Sequence, residues 1–173
     1  MNIEVIDKGP FSSAMVHLDP GEQFISEAGN MTRMTSNVDV DVTTRTKGKG
    51  GMLAGLKRMI GKDAFFLAKY SVLDDQPGHV GLSPMQMGSI KRIDLDGNMS
   101  WICAGGSYMG SGTDIVLDTE FQGLKGFLTG ESIFFVRASG VGPLLVTAYG
   151  MLREINVDGE LIVDTGHIVP YTD

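Results

Sequence analysis

Few residues in this chain have the types and spacing to do chemistry. Three histidines, His17, His79 and His167, lie far apart with no paired spacing. A metal-binding β-barrel of the cupin kind needs clustered histidines and a carboxylate on neighbouring strands, so neither a metal nor another cofactor is expected. His167, three residues after Asp164, is the best placed of the three for a ligand role, against the plainer reading of a strand residue hydrogen-bonded at a rim. Cys103, between Trp101-Ile102 and Ala104, reads as a small buried hydrophobe rather than a nucleophile. Gly106-Ser107-Tyr108-Met109-Gly110 misses the nucleophile-elbow pattern, which would require glycine at Met109. Gly48-Lys49-Gly50-Gly51 invites a phosphate cradle, but neither Gly-x-x-x-x-Gly-Lys-Ser/Thr nor Gly-x-Gly-x-x-Gly is present. No catalytic residue is assigned, and the expectation is a protein that is not an enzyme.

Charge is the more informative signal. From Arg45 to Lys69 there are seven basic residues and one acid, net +6, against seven basic and twenty acidic residues over the rest, net −13. So uneven a distribution points to a partner surface, with Lys47, Lys49, Lys57, Arg58 and Lys62 as the partner-binding candidates. The plainer alternative is that this stretch docks on acidic residues of its own chain or a neighbouring copy. The overall acidic balance, −7, argues against nucleic acid, whose phosphates need positive surface. Phe65, Phe66, Phe134 and Phe135 stand in apolar runs and read as core rather than as base-stacking platforms.

The elements that would position these residues are organised around a repeated decad. Gly88-Ser-Ile-Lys-Arg-Ile-Asp-Leu-Asp-Gly97 returns 62 residues on (150 minus 88) as Gly150-Met-Leu-Arg-Glu-Ile-Asn-Val-Asp-Gly159. Each has alternating apolar residues before an Asp-Gly turn signal, Ile93 and Leu95 in one, Ile155 and Val157 in the other, so each predicts a strand plus a tight turn. A related pattern runs from Met15 to Ile25 around Asp19-Pro20-Gly21. Gly55-Leu56-Lys57 leading to Phe65-Phe66-Leu67 is echoed by Gly123-Leu124-Lys125 leading to Phe134-Phe135-Val136. The spacing predicts one β domain over 1–173 made of pseudo-repeats, about 1–87, 88–149 and a shortened third unit 150–173. Val38-Asp39-Val40-Asp41-Val42 predicts a half-buried strand, and Ala64 to Ala68 a strand covered on both faces. Met52, Leu53, Leu56, Met59 and Ile60 predict a short helix near residues 52–60 that packs on the sheet or a partner, being too short to stand alone.

Twenty-four glycines weigh against a helical bundle, because each would weaken a helix by about 1 kcal/mol relative to alanine. The fold class expected is all-β, from repeated antiparallel units. A lone cysteine makes no internal disulfide, and the N-terminal residues lack a signal-peptide pattern, so a soluble, cytoplasmic protein is expected.

Ala14-Met15-Val16 with Pro20-Gly21-Glu22 and Glu27-Ala28-Gly29, then Gly55-Leu56-Lys57-Arg58 before Phe65-Phe66, Trp101-Ile102-Cys103, Gly130-Glu131 and Val163-Asp164-Thr165-Gly166-His167 together resemble the altered-inheritance-of-mitochondria family. The resemblance runs from about Ala14 to Val169. It implies a β-rich fold similar to the tryptophan RNA-binding attenuation protein (TRAP-like), grouped with double-stranded β-helices of jelly-roll kind, and a mitochondrial biogenesis role for eukaryotic members. It brings no catalytic residues, and the ligands of the fold's namesake do not transfer with the fold.

The function expected from the sequence is a non-enzymatic β-scaffold that self-associates, as a homo-oligomer with a trimer favoured. It would engage a protein or an anionic membrane surface through the basic segment. The alternative is a small-ligand-binding module of the double-stranded β-helix type, which would show one deep, mostly apolar pocket with a few convergent polar groups.

Overall fold

The computed structural model describes residues 1–6, 8–43, 66–104, 106–120, 135–164 and 167–172. They form β1 (Asn2–Ile6), β2 (Ser13–Leu18), β3 (Gln23–Glu27), β4 (Met31–Met34), β5 (Val38–Thr43), β6 (Leu67–Val72), β7 (Gly78–Leu82), β8 (Gly88–Asp96), β9 (Trp101–Ala104), β10 (Tyr108–Gly112), β11 (Ile115–Glu120), β12 (Phe135–Tyr149) and β13 (Pro170–Thr172). A 3-10 turn at Ala28–Asn30 is the one named helical element among the described residues. The all-β expectation holds, and every pairing of these named strands is antiparallel. The helix expected near 52–60 and the candidates Lys47, Lys49, Lys57, Arg58 and Lys62 lie outside the described residues.

Four strands make one sheet in the order β1-β2-β7-β4, and the rest form a nine-stranded system around β12. β12 is central because both its edges are used twice. β8 and β9 follow one another along one edge, pairing with Val141–Tyr149 and Phe135–Ala138, while β10 and β11 do the same along the other. The strand turns between its two halves at Gly140, which has φ +118°; a Cβ there would stand 2.3 Å from the Asp114 carbonyl oxygen. Alternation along β12 feeds two cores. Leu145 joins Val16, Leu18, Phe24, Tyr70, Val80 and Leu82 between the two sheets, and Leu144 and Val146 join Cys103, Tyr108, Leu117 and Val136 on the opposite face. Burying both faces explains why Leu144-Leu145-Val146 is continuously apolar, each with no exposed surface.

The local patterns fare unequally. In β5, Val38 is buried, Val40 half-buried and both aspartates exposed as alternation predicts, but Val42 at the strand's end is exposed. Leu67 and Ala68 are covered while Phe66 just before them is exposed. The Asp19-Pro20-Gly21 turn joins β2 to β3, yet these strands sit in different sheets, so it is a crossing between layers rather than a hairpin.

The decads diverge most. Residues 88–96 are β8, paired throughout with β12, whereas 151–157 carry no strand, which departs from the expected strand plus turn. What the two share is the turn: Gly97 and Gly159 have φ of +86° and +89°. The second decad starts beside the first, with the Gly150 amide donating to the Met87 carbonyl at 2.9 Å and the Ser89 amide to the Gly150 carbonyl at 2.8 Å. A Lys91–Glu154 ion pair follows. The ladder then stops, because no strand among the described residues stands opposite.

Candidate functional site

A cleft of about 620 Å³ opens where β3 ends and β12 runs out. Its walls come from the 3-10 turn after β3, the loop 84–86, the turn between β9 and β10, the last residues of β12, and the segment 167–169 before β13. The sequence folds this way because each contributor is a strand end at which a core-facing run gives way to small and polar residues: Ser26-Glu27, Ala104, Ser107 and Thr147-Ala148.

Several of its polar groups are already committed to structure. Asn30, 2% exposed, donates from Nδ2 to the Met109 carbonyl at 3.4 Å and accepts the Ser83 amide on its own carbonyl. Ser107 Oγ donates to the Ala104 carbonyl at 2.7 Å, and Thr147 Oγ1 to the Ser89 carbonyl at 3.0 Å. Behind them lies a second buried set in which Ser26 Oγ donates to the Glu27 carbonyl and meets the Tyr70 hydroxyl, and the Tyr108 hydroxyl meets Ser111 Oγ at 3.0 Å. Burial pushes the Tyr70 and Tyr108 phenols upward, so both stay neutral and serve as hydrogen-bonding ties.

Glu27 differs. Burial raises its carboxyl above the usual range, and a hydrogen bond with the Asn30 side chain opposes that rise without cancelling it. Such a carboxyl holds its proton to higher pH than an exposed one and can donate a hydrogen bond into the cleft. His167 faces the same space from the far wall, with Nδ1 3.3 Å from Asp164 Oδ2 and both side chains largely exposed. Met85, Met151, Ile168 and Val169 add apolar surface. The lining is therefore mixed, and differs from the deep, mostly apolar pocket that a dedicated ligand module would present.

His167 thus lines the cleft with Asp164 beside it. Cys103 is fully buried, and burial pushes its thiol up to about 12, as suits a core residue. Lys69, the one described basic side chain of the Arg45 to Lys69 segment, stands in β6 between Ile25 of β3 and Asp41 of β5 in the strand register. His17 and His79, far apart in sequence, are brought face to face: they are cross-strand partners on β2 and β7, with ring centroids 6.1 Å apart. Sequence spacing could not reveal that, since the β2–β7 register is set by tertiary pairing. Glu27 and Asn30 also escaped notice as site residues; their signal was a carboxylate at the end of a strand followed by small residues, which is common. No cluster of three or more His, Cys, Asp or Glu side chains able to hold a metal occurs among the described residues.

An antiparallel two-layer β protein with a mixed cleft at the strand ends is the class that this architecture defines. A model of the family described as Mitochondrial biogenesis AIM24 matches residues 3–173, and the chain belongs to that family. The Uncharacterized protein M6_Spy0233 of Streptococcus pyogenes serotype M6 is 24% identical over 168 residues, and the match takes in 94% of this chain and 66% of that relative's length. The crystal structure of protein SPYM3_0169 from Streptococcus pyogenes superposes with a TM-score of 0.78 over 99% of this chain and 76% of that one, at 22% identity, so the two share a fold.

Proposed function

We propose that this protein is a non-enzymatic, self-associating β-scaffold whose 150–163 segment pairs with a second copy of the chain. One observation carries the reading. Residues 151–163 alternate like a strand around an Asp-Gly turn, yet make no backbone hydrogen bond to any other described residue and leave Met151, Ile155, Val157, Leu161 and Ile162 at least half exposed, Ile162 at 99%. Such a row of unpaired amides and carbonyls with apolar flanks is a template for edge pairing. Pairing of the ribbon with a different edge of the next copy is a heterologous contact, which can repeat and close into a ring, with three copies as the number under test. The basic segment, through Lys47, Lys49, Lys57, Arg58 and Lys62, then serves as the surface for an acidic protein or an anionic membrane.

Sedimentation velocity from 1 to 100 µM tests the first part. A concentration-dependent oligomer that an Ile155→Asp, Ile162→Asp variant converts to monomer supports it; a wild-type monomer throughout refutes it. Cosedimentation with anionic vesicles and pulldown from lysate test the second, comparing wild type with a Lys57→Gln, Arg58→Gln, Lys62→Gln variant. Retention should fall in the variant and at 1 M salt, where the Debye length is about 3 Å against about 10 Å at 0.1 M. Equal retention of both proteins at every salt concentration would leave the segment as an intramolecular clasp. The second reading, a small-ligand module, is favoured by one feature, the Glu27 carboxyl on the wall of the cleft, which burial raises above its ordinary value.

A further inference from the structure

We propose that His17 and His79 chelate a divalent late first-row transition metal on the outward face of the four-stranded sheet. Inward-pointing Val16, Leu18 and Val80 have no exposed surface, and alternation therefore turns both imidazoles out, His17 exposed and His79 half-buried. The pair occupies the register position best suited to chelation. The His79 amide donates to Thr35 Oγ1 and its carbonyl accepts from the Thr35 amide, both at 3.0 Å. In an antiparallel sheet a residue's N–H and C=O point to the same side, so those of His79 turn away from β2. His17 and His79 are therefore a non-hydrogen-bonded pair, the arrangement in which facing side chains come closest.

The separation suits a shared ion. With a metal–nitrogen bond of about 2.1 Å, each ring centroid stands about 3.2 Å from the metal, so two centroids are about 5 Å apart at a tetrahedral angle and about 6.4 Å apart when collinear. The observed 6.1 Å, with ring planes at 52°, lies inside that range, and modest side-chain rotation reaches either geometry. Neither ring makes a hydrogen bond or ion pair with another described residue, so no existing bond must break. The backbone is fixed in advance, since β2 is held between β1 and β7, and β7 between β2 and β4. With two protein nitrogens and no third His, Cys, Asp or Glu donor nearby among the described residues, water completes the coordination, giving an exchangeable site. Imidazole donors and the Irving–Williams order make copper(II) the tightest occupant, ahead of nickel(II) and zinc(II). The expectation of no metal rested on sequence separation, which the sheet register removes.

Isothermal titration of the full chain with CuCl2, NiCl2 and ZnCl2 tests the site, together with electron paramagnetic resonance of the copper(II) complex. Wild type should bind one ion with two imidazole nitrogens in the spectrum. His17→Gln and His79→Gln should each weaken binding on the order of 10²-fold, because the second ligand acts at high effective concentration once the first is bound. His167→Gln should change nothing, and matching unfolding midpoints would show that the glutamine variants keep the fold. A single-nitrogen spectrum, wild-type affinity in either His17→Gln or His79→Gln, or loss of binding in His167→Gln overturns the proposal.

Discussion

Truncating Leu145 to alanine tests the claim that β12 is the strand on which both cores depend. Leu145 has no exposed surface and belongs to the cluster between the sheets, with Arg92 of β8 and Gly110 of β10 as its register partners. Leucine-to-alanine changes in cores cost about 2–5 kcal/mol, the spread reflecting how far the site collapses around the void. Collapse is restricted here, since the backbone of β12 is laddered on both sides at this position, so a loss of about 3–4 kcal/mol is expected. For a chain of this length that lowers the melting temperature by on the order of 10 °C. Leu144→Ala should cost a similar amount by emptying the opposite core. Val141→Ala, on the same strand but 60% exposed, should stay within about 0.5 kcal/mol. Urea unfolding followed by tryptophan fluorescence, with Trp101 the single reporter, measures all three. A cost below about 1 kcal/mol for Leu145→Ala, or an equal cost for Val141→Ala, would refute the two-core reading.

Glu27 should leave a signature in the pH dependence of stability. Its folded-state carboxyl is raised above the ordinary value of 4.5 by burial, so the folded protein holds that proton more tightly than the unfolded chain. The stability this adds is full below the unfolded value and is lost as pH rises through the folded value. The difference in urea midpoint between wild type and Glu27→Gln should therefore shift in favour of the variant as pH climbs from 4 towards neutrality and then level off; a flat difference would mean that Glu27 is not desolvated. Cys103, with its thiol pushed up to about 12 by burial, should resist a disulfide-exchange reagent at pH 8 in the native protein and react at once in denaturant. Rapid native labelling would place it at the surface.

What the sequence made legible was whatever depends on neighbours a few residues away. Val38 to Val42 announced a strand by alternation, and the Asp-Gly turns announced positive-φ glycines at 97 and 159. The candidate site resisted because its parts meet across long separations. Asn30 reaches the Met109 carbonyl 79 residues on, Ser26 meets Tyr70 across 44, and His17 meets His79 only because β2 and β7 pair in one register. A shift of one residue would turn the side chains of a strand to the other face, so no local rule fixes such a meeting.

The two decads separate these kinds of information most cleanly. Both carry the same spacing of apolar residues and both end in a left-handed glycine, so each satisfies the local conditions for a strand equally well. The first becomes β8 because β12, itself buried on both faces, offers it a full ladder from Tyr149 to Val141. The second begins along β8, spends its first hydrogen bonds at Met87 and Ser89, and then has no edge to follow among the described residues. Alternation chooses a face; a ladder needs a second strand. A segment that meets the first condition and lacks the second keeps Ile155, Val157 and Ile162 in water, which costs free energy that pairing with another strand would recover. That unmet requirement, more than any cluster of reactive groups among the described residues, is the physical reason to test this protein for pairing with other chains.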